Sequence, residues 1–182
     1  ILPLIENTKG AEPIRCWVAG CATGQEAYSI AILLEEAFND LSFPVNYKIF
    51  ATDVYKYSIK SASQGIFKAE VMRNLAREQI DQYFIETSDG YRIDSRLRGR
   101  VVFAEQNIAE DPPFTRIDIA SCRYVLESFN ENIREQVVST LHFSLKKGGA
   151  LFVGNNETVS EKTGNFTEVS KDHRIYEKTE KT

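Results

Sequence analysis

Two short polar segments, each placed after an apolar run, contain the residue types best suited to hold a small molecule. The first is the turn Gly20-Cys-Ala-Thr-Gly24, which follows the apolar residues 14–19, and the second is Asp53, which follows residues 47–52. Glycine lets a ligand approach the backbone closely, and a carboxylate at a strand end can accept hydrogen bonds from both hydroxyls of a ribose. The two segments predict a nucleoside site that includes Gly20, Gly24 and Asp53.

The glycine spacing of the turn narrows the class of nucleoside. The turn lacks the Gly-x-Gly-x-x-Gly spacing of proteins that bind pyrophosphate. A nucleoside without phosphates, such as S-adenosylmethionine, therefore fits better than NAD. The helix predicted after the turn adds free backbone N–H groups, and Glu26 at its start suits the amino group of a methionine moiety. Two other roles stay open: Glu26 as a favourable acid in a first helical turn, and Asp53 as a helix N-cap.

Later predicted strands also end in polar residues. These ends carry Asn107 with Ile108, Arg123 with Tyr124, and Asn155 to Glu157. Because the carboxyl ends of parallel strands meet at one edge of a sheet, these residues are expected to join the glycine turn in one cleft. The amide of Asn107 suits an adenine edge, with Ile108 beside it in the cofactor site. Arg123 is expected to face the cleft, and Arg123 and Tyr124 are the candidate catalytic residues.

The elements that carry these residues follow from the apolar pattern. The predicted strands are residues 14–19, 47–52, 101–104, 117–121, 150–154, 166–169 and 173–178. Helices are predicted from about residue 27 to 39, over 55–64, over 68–83, and from Asn130 as N-cap to about Leu145. The segment from Lys146 to Gly149 is expected to end the last of them. Strands that alternate with helices predict an α/β fold with a mostly parallel, seven-stranded sheet and an antiparallel edge.

Residues 83–94 interrupt this alternation. Two short β-type runs flank the dipeptide Asp89-Gly90, which is typical of a tight hairpin turn. The pattern predicts a small β-hairpin inserted into the α/β domain. A docking element and a loop without a partner are equally compatible with it.

Composition restricts the class of protein. The chain has 182 residues, which suits one domain, and a formal net charge of −4, which argues against nucleic acid as a partner. The longest apolar stretch, residues 30–34, is far too short to span a bilayer. Three cysteines without zinc spacing and two distant histidines predict no metal site and a cytoplasmic protein.

The candidate site lacks a general base. No His or Lys is placed at a predicted strand end, and no Ser-His-Asp set is evident. Methylation of an amine or a hydroxyl usually requires removal of a proton, whereas a carboxylate is already ionised near neutral pH, since Glu titrates at about 4.3. A site of this kind is therefore compatible with carboxyl methylation.

At this point the chain resembles a known family, the CheR-type glutamate methyltransferases of chemotaxis receptors. It looks most like the methyltransferase part of CheB/CheR fusion proteins. The matching segments run in order along nearly the whole chain. They are residues 19–29, 51–53, 65–67, 83–84, 107, 121–123, 147–152 and 173–176.

The resemblance implies a Rossmann-like, class I methyltransferase domain over residues 1–182 that uses S-adenosylmethionine and releases S-adenosylhomocysteine. It implies methyl transfer to glutamate side chains of methyl-accepting chemotaxis receptors, in chemosensory adaptation. By the same resemblance Ala19, Gly20 and Glu26 contact the cofactor, Asp53 the ribose and Asn107 the adenine. The insertion at 83–94 corresponds to the family's small β subdomain, which in some members docks a receptor tail.

Several residues depart from the family pattern where the reaction is expected. Tyr124 stands in place of the usual Asn, Ser128 in place of a Tyr thought to face the reacting methyl, and Asn155 in place of a His. The family's N-terminal helical domain, with its Phe-Phe-Arg segment, is absent from this sequence, which begins without Met and is interpreted as a fragment. Two functions stay open: an active glutamate methyltransferase, and a degenerate cofactor-binding or regulatory module of a larger two-component signalling protein.

Overall fold

The computed structural model describes residues 1–8, 11–159 and 165–179. Ten strands lie in the described part of the chain. They are β1 (Ile14–Ala19), β2 (Tyr47–Asp53), β3 (Ile66–Phe67), β4 (Phe84–Thr87), β5 (Gly90–Ile93), β6 (Val101–Glu105), β7 (Ile117–Cys122), β8 (Leu145–Val153), β9 (Phe166–Ser170) and β10 (Ile175–Lys178).

Seven helices accompany these strands within the same described ranges. They are α1 (Leu2–Thr8), α2 (Gln25–Asp40), α3 (Lys56–Gln64), α4 (Ala69–Met72), α5 (Arg77–Tyr83), α6 (Ser95–Arg100) and α7 (Glu131–Ser144), with a short 3₁₀ turn at Leu126–Ser128. None of them combines the length and the apolar character needed to cross a bilayer.

The described residues form one seven-stranded sheet in the order β6-β2-β1-β7-β8-β10-β9. The first five of these strands are parallel, and β10 runs antiparallel to both β8 and β9. The predicted α/β class with an antiparallel edge is confirmed. Strands β1 and β7 lie side by side in the interior of the sheet, and Ile14, Trp17 and Ile117 are completely buried. Gly20, Asp53 and Arg123 consequently follow neighbouring strands at one edge of the sheet.

A second, three-stranded sheet has the order β3-β5-β4. Its strands β4 and β5 form a hairpin within residues 83–94, and Gly90 in the turn has a positive φ of 131°. The two-residue strand β3 pairs antiparallel with β5 and was not predicted. A strand this short has no apolar period of its own, so only its pairing partner reveals it.

The single helix predicted over 68–83 is wrong, because the segment forms two helices. Residue Ala76 is extended, and its backbone N–H donates to the side chain of Gln79, which closes the start of α5. Leu75 between the helices packs against the larger core cluster. Burial of this apolar side chain outweighs the continuous helical propensity of the segment.

The predicted end of α7 at Lys146 to Gly149 is also wrong. The N-cap Asn130 is confirmed, because its side chain accepts a hydrogen bond from the backbone nitrogen of Ile133 at 3.1 Å. The helix ends earlier, at Ser144, since Leu145 pairs with Ile117 in the sheet. Lys146 then forms an ion pair of 2.8 Å with Asp118 of β7. The lysines and glycines therefore belong to an irregular start of β8.

Candidate active site

The turn after β1 is fastened to the end of β2. The backbone nitrogens of Gly20 and Cys21 both donate to the carbonyl oxygen of Thr52 at 2.8 Å, and that of Ala22 donates to Oδ2 of Asp53 at 2.9 Å. These three N–H groups are thereby satisfied inside the protein. The turn cannot serve as a cradle of free amides for phosphate, which agrees with a nucleoside ligand that has none.

Two glycines of the turn have different roles. Gly20 has a positive φ of 76°, and a Cβ atom added there would lie 2.3 Å from Cγ2 of Val125. Gly20 is thus needed where the turn approaches the loop after β7. Gly24 has a φ of 92°, and its Cβ would lie 2.9 Å from that of Ala62 in α3. The absence of a side chain at Gly24 serves helix packing.

Asp53 connects the turn to α3. Its Oδ2 holds Ala22, and its Oδ1 accepts a hydrogen bond from the backbone nitrogen of Tyr55 at 2.9 Å. It does not cap α3, because the N-cap residue is Tyr55 and no side chain bonds there. Each carboxylate oxygen can accept two hydrogen bonds. The Asp53 carboxylate therefore keeps acceptor capacity for a ligand.

Glu26 makes contacts across the sheet edge. Its Oε1 accepts a hydrogen bond from the hydroxyl of Ser121, and its Oε2 lies 3.1 Å from a guanidinium nitrogen of Arg123. The Arg123 guanidinium lies over the rings of Tyr124 and Phe152, at 5.2 and 4.6 Å from their centroids. Its Nε has no hydrogen-bond partner among the described residues. Glu26 and Arg123 together form one wall of a cavity.

That cavity has a volume of about 730 Å³, within the range of small-molecule sites. It brings together seven of the residues predicted for the site. They are Gly20, Glu26, Asp53, Asn107, Ile108, Arg123 and Tyr124. Ala19 and Gly24 do not line it. Ala19 is buried inside the sheet, and Gly24 faces α3.

Asn107 lies in a tight turn after β6. Its side-chain oxygen accepts from the backbone nitrogen of Ala109 at 3.1 Å, and its own backbone nitrogen donates to Asp111 at 2.7 Å. The side-chain NH₂ group can donate to a ligand, and the oxygen keeps a second lone pair. Ile108 beside it is buried and adds apolar surface to the cavity.

Cys21 also lines the cavity, and it is a free cysteine. Burial raises the pKa of its thiol to about 12, and the negative charge of Asp53 adds to the effect. The thiol is thus protonated at neutral pH and does not act as a nucleophile. Among the described residues that line the cavity there is no His and no Lys. Glu26 and Asp53 are the two carboxylates among these lining residues, and both already accept hydrogen bonds within the protein.

Glu157 holds the loop that borders the cavity after β7. Although its side chain carries a carboxylate, the residue is only 4 % exposed. It accepts hydrogen bonds from the backbone nitrogens of Tyr124 at 2.8 Å, Glu127 at 3.1 Å and Gly154 at 2.6 Å. Sequence reasoning placed Glu157 at a strand end but missed this role, because its partners at 124 and 127 are distant along the chain.

The fold and the cavity define a Rossmann-like, S-adenosylmethionine-dependent methyltransferase domain. The carboxylates of Glu26 and Asp53 lie in this cavity beside apolar residues, and the backbone N–H groups of Gly20 and Cys21 are engaged within the protein. Residues 1–175 match the model of the CheR methyltransferase, SAM binding domain. The chain belongs to this family, as its sequence indicated.

Several curated relatives are similar to the chain. An uncharacterized 104.1 kDa protein of Rhodobacter capsulatus is 35% identical over 96% of the chain and 18% of its own length. The Pseudomonas putida protein named "Putative methyltransferase Cher3" is 34% identical over 98% of the chain and 67% of its own length. Chemotaxis protein methyltransferase 2 of Vibrio cholerae is 32% identical over 88% of the chain and 57% of its own length. The chain thus spans from about a fifth to two thirds of these relatives.

Proposed function

We propose that the protein transfers the methyl group of S-adenosylmethionine to glutamate side chains of chemotaxis receptors, in the cytoplasm. The observation that carries the proposal is the convergence of Glu26, Asp53, Asn107 and Arg123 on one cavity in a chain of the CheR family. A relative that covers most of the chain is named a chemotaxis protein methyltransferase, which favours a receptor as the substrate.

The residues have separate tasks in this proposal. Asp53 accepts the ribose hydroxyls, the NH₂ group of Asn107 meets the adenine edge, and Glu26 receives the ammonium of the methionine moiety. S-Adenosylmethionine supplies a methyl group bound to a positively charged sulfur. A glutamate carboxylate is already ionised and needs no proton removed, which agrees with a cavity without His or Lys among the described residues.

Arg123 is suited to place the glutamate. Its guanidinium lies over the rings of Tyr124 and Phe152, and one of its terminal nitrogens contacts Glu26. When the ammonium of the cofactor pairs with Glu26, the ion pair between Glu26 and Arg123 becomes weaker. Arg123 is then available to bind a second carboxylate. A bidentate contact of this kind orients a carboxylate and limits its rotation.

Transfer of radiolabelled methyl groups to receptor-containing membranes tests the proposal. We expect label in the receptor that alkali releases, as from a methyl ester, and less label with Asp53→Ala at a limiting concentration of the cofactor. The assay is run with this chain and with any longer natural form of it. If the wild-type protein binds S-adenosylhomocysteine yet labels no receptor in either form, the methyltransferase proposal is wrong.

A second function is favoured by the residues at the reaction site. Tyr124 and Ser128 line the cavity where the family usually has Asn and Tyr. A degenerate module that binds the cofactor without transfer would explain both changes. The labelling assay separates the two functions, since only the enzyme transfers the methyl group.

A further inference from the structure

The exposed side of α3, beside the mouth of the cavity, has an unusual combination of side chains. Tyr57 is 90% exposed and Tyr55 is 70% exposed, while Lys56 and Lys60 are also exposed. Large aromatic side chains are rarely left in water without a contact to make, and tyrosine is enriched where proteins bind each other. We call Tyr55, Lys56, Tyr57 and Lys60 the α3 face.

The charge of this segment is opposite to that of the chain. Residues 54–69 contain Lys56, Lys60 and Lys68 and no Asp or Glu, whereas the whole chain has a net charge of −4. Lys56 and Lys60 are four residues apart in a helix, so they lie on the same side of α3. Among the described residues neither lysine forms an ion pair.

The fold explains why the described residues leave the α3 face uncovered. Helix α3 packs on β2 and β6 through its inner side, where Ala62 is fully buried and Ile59 contacts the core. The opposite side of the helix then points to solvent.

The α3 face is continuous with the candidate active site. Tyr55 belongs to both, because it lines the cavity and its backbone nitrogen donates to Asp53. Ser58, one residue beyond Tyr57, lines the cavity as well. A polypeptide that presents a side chain to the cavity from this direction therefore crosses the first turn of α3.

We propose that the α3 face binds an acidic, glutamate-bearing segment of the protein substrate next to the residue to be methylated. This proposal rests on the proposed function. The lysines attract the carboxylates that surround the reacting glutamate, and Tyr57 packs on the apolar part of the segment. Because these charges are exposed, their effect is screened by salt and lies mainly in substrate affinity.

Binding of a synthetic peptide tests the α3 face directly. The probe is a short amidated peptide in which glutamates alternate with alanines, and its matched control has glutamine at every glutamate. We expect the wild-type chain to bind the glutamate peptide, to lose affinity as salt is added, and to bind the glutamine peptide at least about tenfold more weakly. Absence of binding to the glutamate peptide overturns the proposal.

Charge reversal locates the binding surface. The double variant Lys56→Glu with Lys60→Glu is expected to raise the dissociation constant of the peptide roughly tenfold, and Tyr57→Ala roughly threefold. The control is Lys171→Glu, an exposed lysine after β9 at the opposite edge of the sheet, and it is compared with the single variant Lys56→Glu, which changes the net charge equally. An equal loss in the control means that net charge alone acts, and the proposal is then wrong.

Two further measurements keep the outcome clear. Calorimetry with S-adenosylhomocysteine is expected to give the same affinity for the wild type and the α3 variants. If the cofactor product binds while the peptide does not, the docking proposal fails and the proposed function stands. If the product itself does not bind, the proposed function fails.

Binding to vesicles that contain anionic lipid is measured as well. Binding to these vesicles without binding to the peptide overturns the docking proposal and assigns the α3 face to a membrane surface.

Discussion

The buried carboxylate of Glu157 lies 2.8 Å from the backbone nitrogen of Tyr124, a residue with a positive φ of 59°. Such a backbone is unfavourable for a bulky side chain and persists only where surrounding contacts impose it. Glu157 supplies these contacts, since it also bonds the backbone nitrogens of Glu127 and Gly154. The loop that borders the cavity is therefore fixed by a residue outside the cavity.

The first prediction concerns this carboxylate. Glu157→Gln keeps the shape of the side chain but turns an NH₂ group toward donors, so that at least one N–H group loses its acceptor. We expect the free energy of unfolding to fall by about 1–3 kcal/mol. Urea unfolding measures the change. Glu135→Gln on the exposed side of α7 is the matched control and is expected to be neutral; equal effects in both variants would contradict the role assigned to Glu157.

The second prediction concerns Tyr124 and Ser128. Tyr124→Asn relieves an unfavourable backbone but removes a ring that packs on Arg123, and each effect is of order 1 kcal/mol. Because these two effects offset each other, the free energy of unfolding should change little. A change in the rate of methyl transfer then reflects the chemistry of the site and not a loss of folded protein. With Ser128→Tyr added, we expect methyl transfer to receptor membranes to rise roughly tenfold. An unchanged rate would show that these two residues do not limit the reaction.

Stability should decrease in alkaline solution. Burial raises the pKa of Cys21 and of Tyr28 to about 12, and raises the pKa of Cys16, Cys122 and Tyr47 as well. In the unfolded chain these groups lose their protons at lower pH than in the folded one. The folded state therefore binds more protons, and its stability falls as the pH rises from about 9 toward about 12. Urea midpoints at several pH values measure this, and a constant midpoint would contradict it.

The sheet was predictable because burial dictates residue type along a whole strand. Most residues of β1 and β7 are buried on both faces, and this produces the short, largely apolar runs from which both strands were predicted. The cleft was predictable for a related reason, since parallel strands place Gly20, Asp53 and Arg123 at the same edge without knowledge of any contact.

The errors have a different physical origin. The division of 68–83 into two helices and the early end of α7 depend on Leu75 and Leu145, which leave the helical pattern to be buried elsewhere in the fold. Gly24 was predicted from its place in the turn, and only its distance to Ala62 reveals that it also serves helix packing. These features depend on contacts between segments that are distant along the chain. The local sequence pattern carries no information on such contacts.

Asp53 is predicted to contribute to every ligand that contains a ribose. Asp53→Asn keeps one acceptor oxygen and replaces the other with a donor. We expect the affinity for S-adenosylhomocysteine to fall by about 1–3 kcal/mol, measured by calorimetry. Asp89→Asn in the exposed hairpin turn is the control, with no expected change. A thermal unfolding curve for each variant separates weaker binding from a loosened turn, because Asp53 also holds Ala22 and Tyr55.

Glu26 is predicted to contribute only to ligands that have an amino-acid part. The ion pair of Glu26 with Arg123 is partly exposed, so its loss alone should affect stability by less than about 1 kcal/mol. Glu26→Gln removes the charge that faces an ammonium, and we expect S-adenosylhomocysteine to bind more weakly by about 1.5–3 kcal/mol. The affinity for 5′-methylthioadenosine, which lacks the amino-acid part, should remain as in the wild type. Equal losses for both ligands would place Glu26 away from the methionine moiety, whereas Asp53→Asn is expected to weaken both because the ribose is common to them.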